Sequence, residues 1–98
     1  MGPEARFEKQ FKKDIENLGG ICLKINSVGG GKNDRLVLMP KNWTYWVELK
    51  RPDRKGIVSP LQQNWHKKLK KLGHLNFIID SEWSKRSFLL RIKIDQTL

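Results

Sequence analysis

Between an alternating segment at Trp43–Lys50 and the apolar run Phe77-Ile78-Ile79 stands a stretch that reads as a helix, and this succession constrains the fold most. Ser59-Pro60-Leu61-Gln62 supplies a Ser cap, Pro at the first helical position and Gln in the capping-box place. Leu61, Trp65, Leu69 and Leu72 follow as a stripe at helical spacing predicted to be buried, and Gly73 ends it. A helix crossing between two strands of one sheet requires those strands to run parallel. The uninterrupted run Phe77-Ile78-Ile79 suits a central strand covered on both faces.

The rest of the chain fits around that unit. Phe7, Phe11, Ile15 and Leu18 recur at i, i+4, i+8 and i+11, which predicts a helix from Pro3 or Glu4 to Leu18, stopped by Gly19-Gly20. Ile21–Asn26 and Arg35–Met39 read as strands, as does Trp43–Lys50, and their short connections favour a meander. Ser81–Ser84 reads as a turn or a short helical piece, and Ser87–Ile94 as a last strand with Phe88, Leu90 and Ile92 alternating. The predicted order is α-β-β-β-α-β with a further β, an α/β fold whose mixed sheet is flanked by helices. With 98 residues the chain is expected to form one domain.

Twenty Lys and Arg against ten Asp and Glu give a formal charge of +10, which attracts polyanions, nucleic acid first among them. The single cysteine, Cys22, excludes an internal disulfide and a cysteine-based zinc site. No apolar stretch resembles a signal peptide or reaches membrane-spanning length, so the expectation is a cytoplasmic protein with no membrane partner. Gly29-Gly30-Gly31-Lys32 does not complete a phosphate loop, because Asn26 and Asn33 stand where Gly and Ser or Thr belong.

Two carboxylates and a lysine form the candidate site. In the third strand Tyr45, Val47 and Leu49 point one way, and Thr44, Trp46, Glu48 and Lys50 the other. If the second and third strands pair, Asp34 approaches Glu48. Phosphodiester hydrolysis needs an activated water and a counter to charge growing on the phosphate, and a divalent cation held by carboxylates supplies both. Asp34 and Glu48 fit the ligand role and Lys50 that of a cation beside the phosphate. The plain alternative is an ion pair on an exposed sheet. His66 and His74 read as surface residues, since neither has a second His or a Cys at ligand spacing.

Asn33-Asp34-Arg35-Leu36, Val47-Glu48-Leu49-Lys50-Arg51-Pro52, Ser59-Pro60-Leu61-Gln62-x-x-Trp65 and Leu72-Gly73-His74 succeed one another after Gly19-Gly20 and Lys24-Ile25-Asn26. Asp34 with Glu48-x-Lys50 resembles the core of the PD-(D/E)XK nucleases, and the whole succession is similar to the VRR-NUC branch, particularly its minimal stand-alone members of phages and bacteria. The resemblance covers nearly the entire chain. It implies a restriction-endonuclease-like core and a Mg²⁺- or Mn²⁺-dependent nuclease with Asp34 and Glu48 as metal ligands and Lys50 as the catalytic lysine. Gln62 and a Glu of the first helix, Glu8 or alternatively Glu4, are implied contributors, and the backbone carbonyl of Leu49 is a further candidate ligand. Asn33 departs from the usual Pro of the pattern.

The activity expected is cleavage of branched DNA, four-way junctions included. Symmetric cutting of a junction needs two sites, hence a homodimer, with Trp43, Trp46 or Trp83 as interface candidates. Lys32, Arg35, Arg51, Lys67, Lys68 and Lys71 are the candidate DNA contacts. A basic DNA-binding module without catalysis is the competing reading, and an RNA-directed nuclease a third.

Overall fold

The computed structural model describes residues 2–25, 34–50, 52 and 58–98, with the side chain of Asp34 left out of the description. Three helices and a four-stranded mixed sheet follow in the order α1 (Pro3–Asn17), β1 (Ile21–Ile25), β2 (Asp34–Leu38), β3 (Thr44–Leu49), α2 (Pro60–Lys71), β4 (Leu75–Ile79) and α3 (Glu82–Asp95). The sheet order is β1-β2-β3-β4, with β1–β2 and β2–β3 antiparallel and β3–β4 parallel. The meander and the helical crossover are therefore both present.

Helix α1 starts with Pro in its first turn and buries Phe7, Phe11 and Ile15. It ends where Gly19 takes φ +90°, a conformation open to glycine without steric cost. A side chain at Gly20 would collide with Met39 and the Leu38 carbonyl, so glycine there lets α1 close onto the sheet. The core lies between the sheet and the pair α1 and α3, where Val37, Tyr45, Val47, Leu49 and Ile79 meet Phe11, Ile15, Phe88 and Ile92. Tyr45, Phe77 and Phe88 pack ring to ring, Tyr45 meeting Phe88 edge-on at 5.4 Å. The opposite sheet face is covered by α2 over its β3–β4 half, whereas Ile21 and Leu23 of β1 remain exposed.

Three expectations are corrected. The segment predicted as a last strand at Ser87–Ile94 is the body of α3. The side chains of Ser81 and Ser84 cap each other's backbone at its start, and it buries Lys85, Phe88, Ile92 and Asp95 at spacings of three and four. The strand β4 is an edge strand, not a central one, and Ile78 is 45 % exposed on the side that α2 only partly covers. Helix α2 keeps only the middle of its predicted stripe: Leu69 is buried and Trp65 half-buried, whereas Leu61 and Leu72 are exposed and Gln62 is buried in their stead. Gln62 faces the sheet where it hydrogen-bonds Glu48.

Candidate active site

The β2–β3 ladder sets Asp34 and Glu48 on one rung, directly across from each other. The register that the candidate site requires is the register found. Alternation along β3 sends Tyr45, Val47 and Leu49 into the core, and Glu48 to the face on which α2 lies. Glu48 is 0 % exposed, so the reading of an ion pair on an exposed sheet is corrected here.

Such a carboxylate must find partners, since an unpaired buried charge is strongly unfavourable. Its Oε1 accepts from Lys50 Nζ at 3.0 Å and from Gln62 Nε2, while Lys50 Nζ also donates to Gln62 Oε1 at 2.9 Å. Glu48, Lys50 and Gln62 thus close a triangle in which all three are buried. Glu48 Oε2 is buried and has no hydrogen-bond partner among the described residues.

Gln62 performs two tasks at once. Its Oε1 accepts from the Ser59 backbone N–H at 3.0 Å, and its own N–H donates to Ser59 Oγ at 3.2 Å, completing a capping box at the start of α2. The cap and the contacts with Glu48 and Lys50 coexist, because one amide oxygen serves the helix cap and Lys50 while the amide nitrogen serves Glu48.

His66 lies one helical turn beyond Gln62 and is half-buried, a correction to its reading as a surface residue; His74 is exposed as expected. The Nε2 of His66 is buried without a partner among the described residues, and burial pushes its pKa below the usual 6.5, with Glu48 raising it and Lys50 lowering it further. The signal was present in the sequence as the i+4 spacing from Gln62, which shows only once Gln62 is known to face the sheet.

Glu8 is not brought to this cluster. Its carboxylate pairs at 3.3 Å with Arg35, which is 6 % exposed. Arg35 stands opposite Val47, one rung from Asp34 and Glu48, and therefore on the α1 side of the sheet. Burial and the pairing with Glu8 correct the expectation that Arg35 is presented to DNA. Glu4 is exposed in the first turn of α1. Leu49, whose backbone carbonyl is a candidate ligand, ends β3 with its side chain in the core. Lys67, Lys68 and Lys71 are exposed on α2. Lys32, Asn33, Arg51 and the glycine-rich run Gly29–Gly31 lie outside the described residues.

The donor set suits a hard divalent cation. A buried, unpartnered carboxylate oxygen on the rung it shares with Asp34 matches the one or two carboxylates that Mg²⁺ usually takes from protein. Among the described residues no helix is long and apolar enough to cross a membrane.

The chain is similar to a curated protein and to a solved structure. Over 80 residues, 81 % of this chain, it is 36 % identical to a protein of Acyrthosiphon pisum secondary endosymbiont phage 1 named "Putative nuclease p44", covering 84 % of that protein. A solved structure titled "VRR_NUC domain" superposes with a TM-score of 0.77 at 25 % identity, covering 91 % of this chain and 96 % of that one. No family model matches the chain.

Proposed function

The chain belongs to the VRR-NUC nuclease family, and from that premise we propose that it is a divalent-metal-dependent endonuclease that cuts branched DNA, four-way junctions included. The observation that carries this reading is the buried Glu48, locked through one oxygen by Lys50 and Gln62 while the other has no partner among the described residues.

Asp34 and Glu48 would hold Mg²⁺ or Mn²⁺, with the Leu49 carbonyl as the remaining protein donor. When bound, the ion supplies a Lewis acid for the phosphate and lowers the pKa of water at the site. The chain's own groups do the rest. Gln62 fixes the rotamer of Glu48, so that Oε2 keeps its direction before substrate arrives. Lys50, held to Glu48 and Gln62, offsets the negative charge that grows on the phosphate. Glu8 acts at one remove, by neutralising Arg35 next to Asp34. The exposed Lys67, Lys68 and Lys71 take the phosphate backbone, which positions the DNA without reading its bases.

Cutting both strands of a junction calls for two such sites. Helix α3 exposes Trp83 (70 %), Leu90 (58 %) and Ile94 (52 %) at i, i+7 and i+11, one apolar stripe that suits pairing with a second copy about a two-fold axis. A panel of labelled DNA structures incubated with Mg²⁺ or Mn²⁺, run beside Lys50→Ala, tests the proposal. The unaltered protein should cut at least one branched substrate, and Lys50→Ala should bind it without cutting. Binding with no cleavage of any substrate by the unaltered protein would make it a DNA-binding module instead.

A further inference from the structure

On the sheet face that carries Glu48, a cleft of about 460 Å³ opens between Leu36, Trp46 and the β2–β3 turn on one side and Gly73-His74 on the other, with Trp43 in its wall. We propose that this cleft is a stacking subsite for one unpaired base of the DNA strand, held about 7 Å along β3 from the cutting carboxylate. The proposal rests on the nuclease reading and narrows its substrate to DNA with an unpaired nucleotide beside the scissile phosphate.

The Trp46 ring is fixed before anything binds, because it meets Trp65 of α2 edge to face at 5.9 Å. It is half-buried, backed by a protein ring yet open to the cleft, so stacking a base there requires little further ordering of the protein. Trp43 borders the cleft, but its ring packs on Tyr45 at the core side of the sheet. Asn42, Thr44 and His74 add hydrogen-bonding groups to the lining, as the edge of a base would need.

Charge favours a nucleic acid as occupant. Lys70 and Lys71 are exposed in the last turn of α2, immediately before Leu72 and the cleft-lining Gly73-His74. The chain carries +10 overall. Continuity with the site points the same way: Trp46 and Glu48 are two apart on β3, and Trp65 and Gln62, one helical turn apart on α2, touch them in turn. A base inside an intact duplex has no free face to offer such walls, so only an unpaired one can enter.

The test uses a forked oligonucleotide carrying 2-aminopurine at successive positions of one strand, titrated with the whole protein in EDTA so that binding is read without cutting. Stacking should alter the fluorescence at one position near the branch. Trp46→Leu should abolish that signal and weaken binding to the fork roughly 5- to 150-fold, the range given by removal of one base–aromatic stack. Its salt dependence and its affinity for plain duplex should stay unchanged. An abasic residue at the same position should weaken the unaltered protein equally and add nothing to Trp46→Leu, a comparison that stands even if the variant folds poorly. A fluorescence response equal at all positions, or insensitivity of the unaltered protein to the abasic residue, would overturn the proposal. So would a change of oligomeric state in Trp46→Leu, which would mark the cleft as an interface between copies. Since no metal is present, a failure of nuclease activity is seen separately.

Discussion

Gln62 shows how one side chain can be tested for two roles. Ser59→Ala removes the helix cap and leaves the amide bonded to Glu48, so it should destabilise the chain by about 0.5–2 kcal/mol in urea titration with little change in cleavage. Gln62→Ala loses both and, with Glu48 in the ligand role proposed for it, should lower cleavage by about 10- to 100-fold beyond that stability effect, the usual consequence of removing a partner that orients a metal ligand. His66 makes a second residue-level prediction. Its folded pKa lies below the unfolded 6.5, so the unfolded chain binds more protons once pH falls through that value. Stability should hold above about pH 6.5 and decline as pH drops below it. His66→Gln should flatten the decline, measured as denaturation midpoints between pH 7.5 and 5; an identical slope in both proteins would remove His66 as the cause. The positions of Glu48 and Lys50 were legible because strand alternation has a period of two and Tyr45, Val47 and Leu49 claim the core side. That Gln62 faces the sheet was not legible, since the apolar Leu61 beside it is the better hydrophobic choice and only the buried carboxylate outweighs it.

Helix α3 is the element that sequence pattern concealed. Two of the four residues it buries are Lys85 and Asp95, which hydropathy assigns to solvent. Each is buried because a partner awaits it. Lys85 bridges Asp14 at 3.2 Å and Glu82 at 3.1 Å, and Asp95 accepts from Tyr45 at 2.6 Å and pairs with Arg91. Glu82 and Arg91 are local to α3, but Asp14 on α1 and Tyr45 on β3 lie beyond any local window, and Phe88, Leu90 and Ile92 were left to suggest alternation. Burial and the Asp95 hydrogen bond hold the Tyr45 phenol above its ordinary pKa, keeping it a donor. Ile92 is fully buried on α3, so Ile92→Ala should lower stability by about 2–5 kcal/mol. Leu90→Lys should leave the circular dichroism spectrum intact and shift sedimentation toward a smaller species. Equal unfolding by both substitutions would indicate the two side chains share one face, as they would in a strand.

At the scale of the whole molecule, the two flanks of the sheet divide the work. The α1–α3 side holds the core, and the α2 side carries the carboxylate triangle, the aromatic cleft and the exposed lysines. Replacing Lys67, Lys68 and Lys71 together by Ala should weaken binding to all DNA structures alike. It should also reduce the slope of log K against log salt by about 2 to 3, close to one for each phosphate that a lysine no longer neutralises. A weakening confined to one branched structure would instead give these lysines a part in shape recognition. The division was foreseeable in outline, because the helical crossover forces β3 and β4 to lie parallel with α2 on one face. Which face carried the chemistry depended on a single parity, that of Glu48.

The shared amide of Gln62 also couples the proposed site to the winding of α2. A chain that has paired β2 with β3 but not yet wound the first turn of α2 has Asp34 and Glu48 together without the group that aims Glu48. Under the proposed function such a partly folded molecule should bind DNA but cut it slowly, by the same factor as Gln62→Ala. Because one amide serves both the cap and the carboxylate, full cleavage during refolding should return with the helical signal of α2 and not before it.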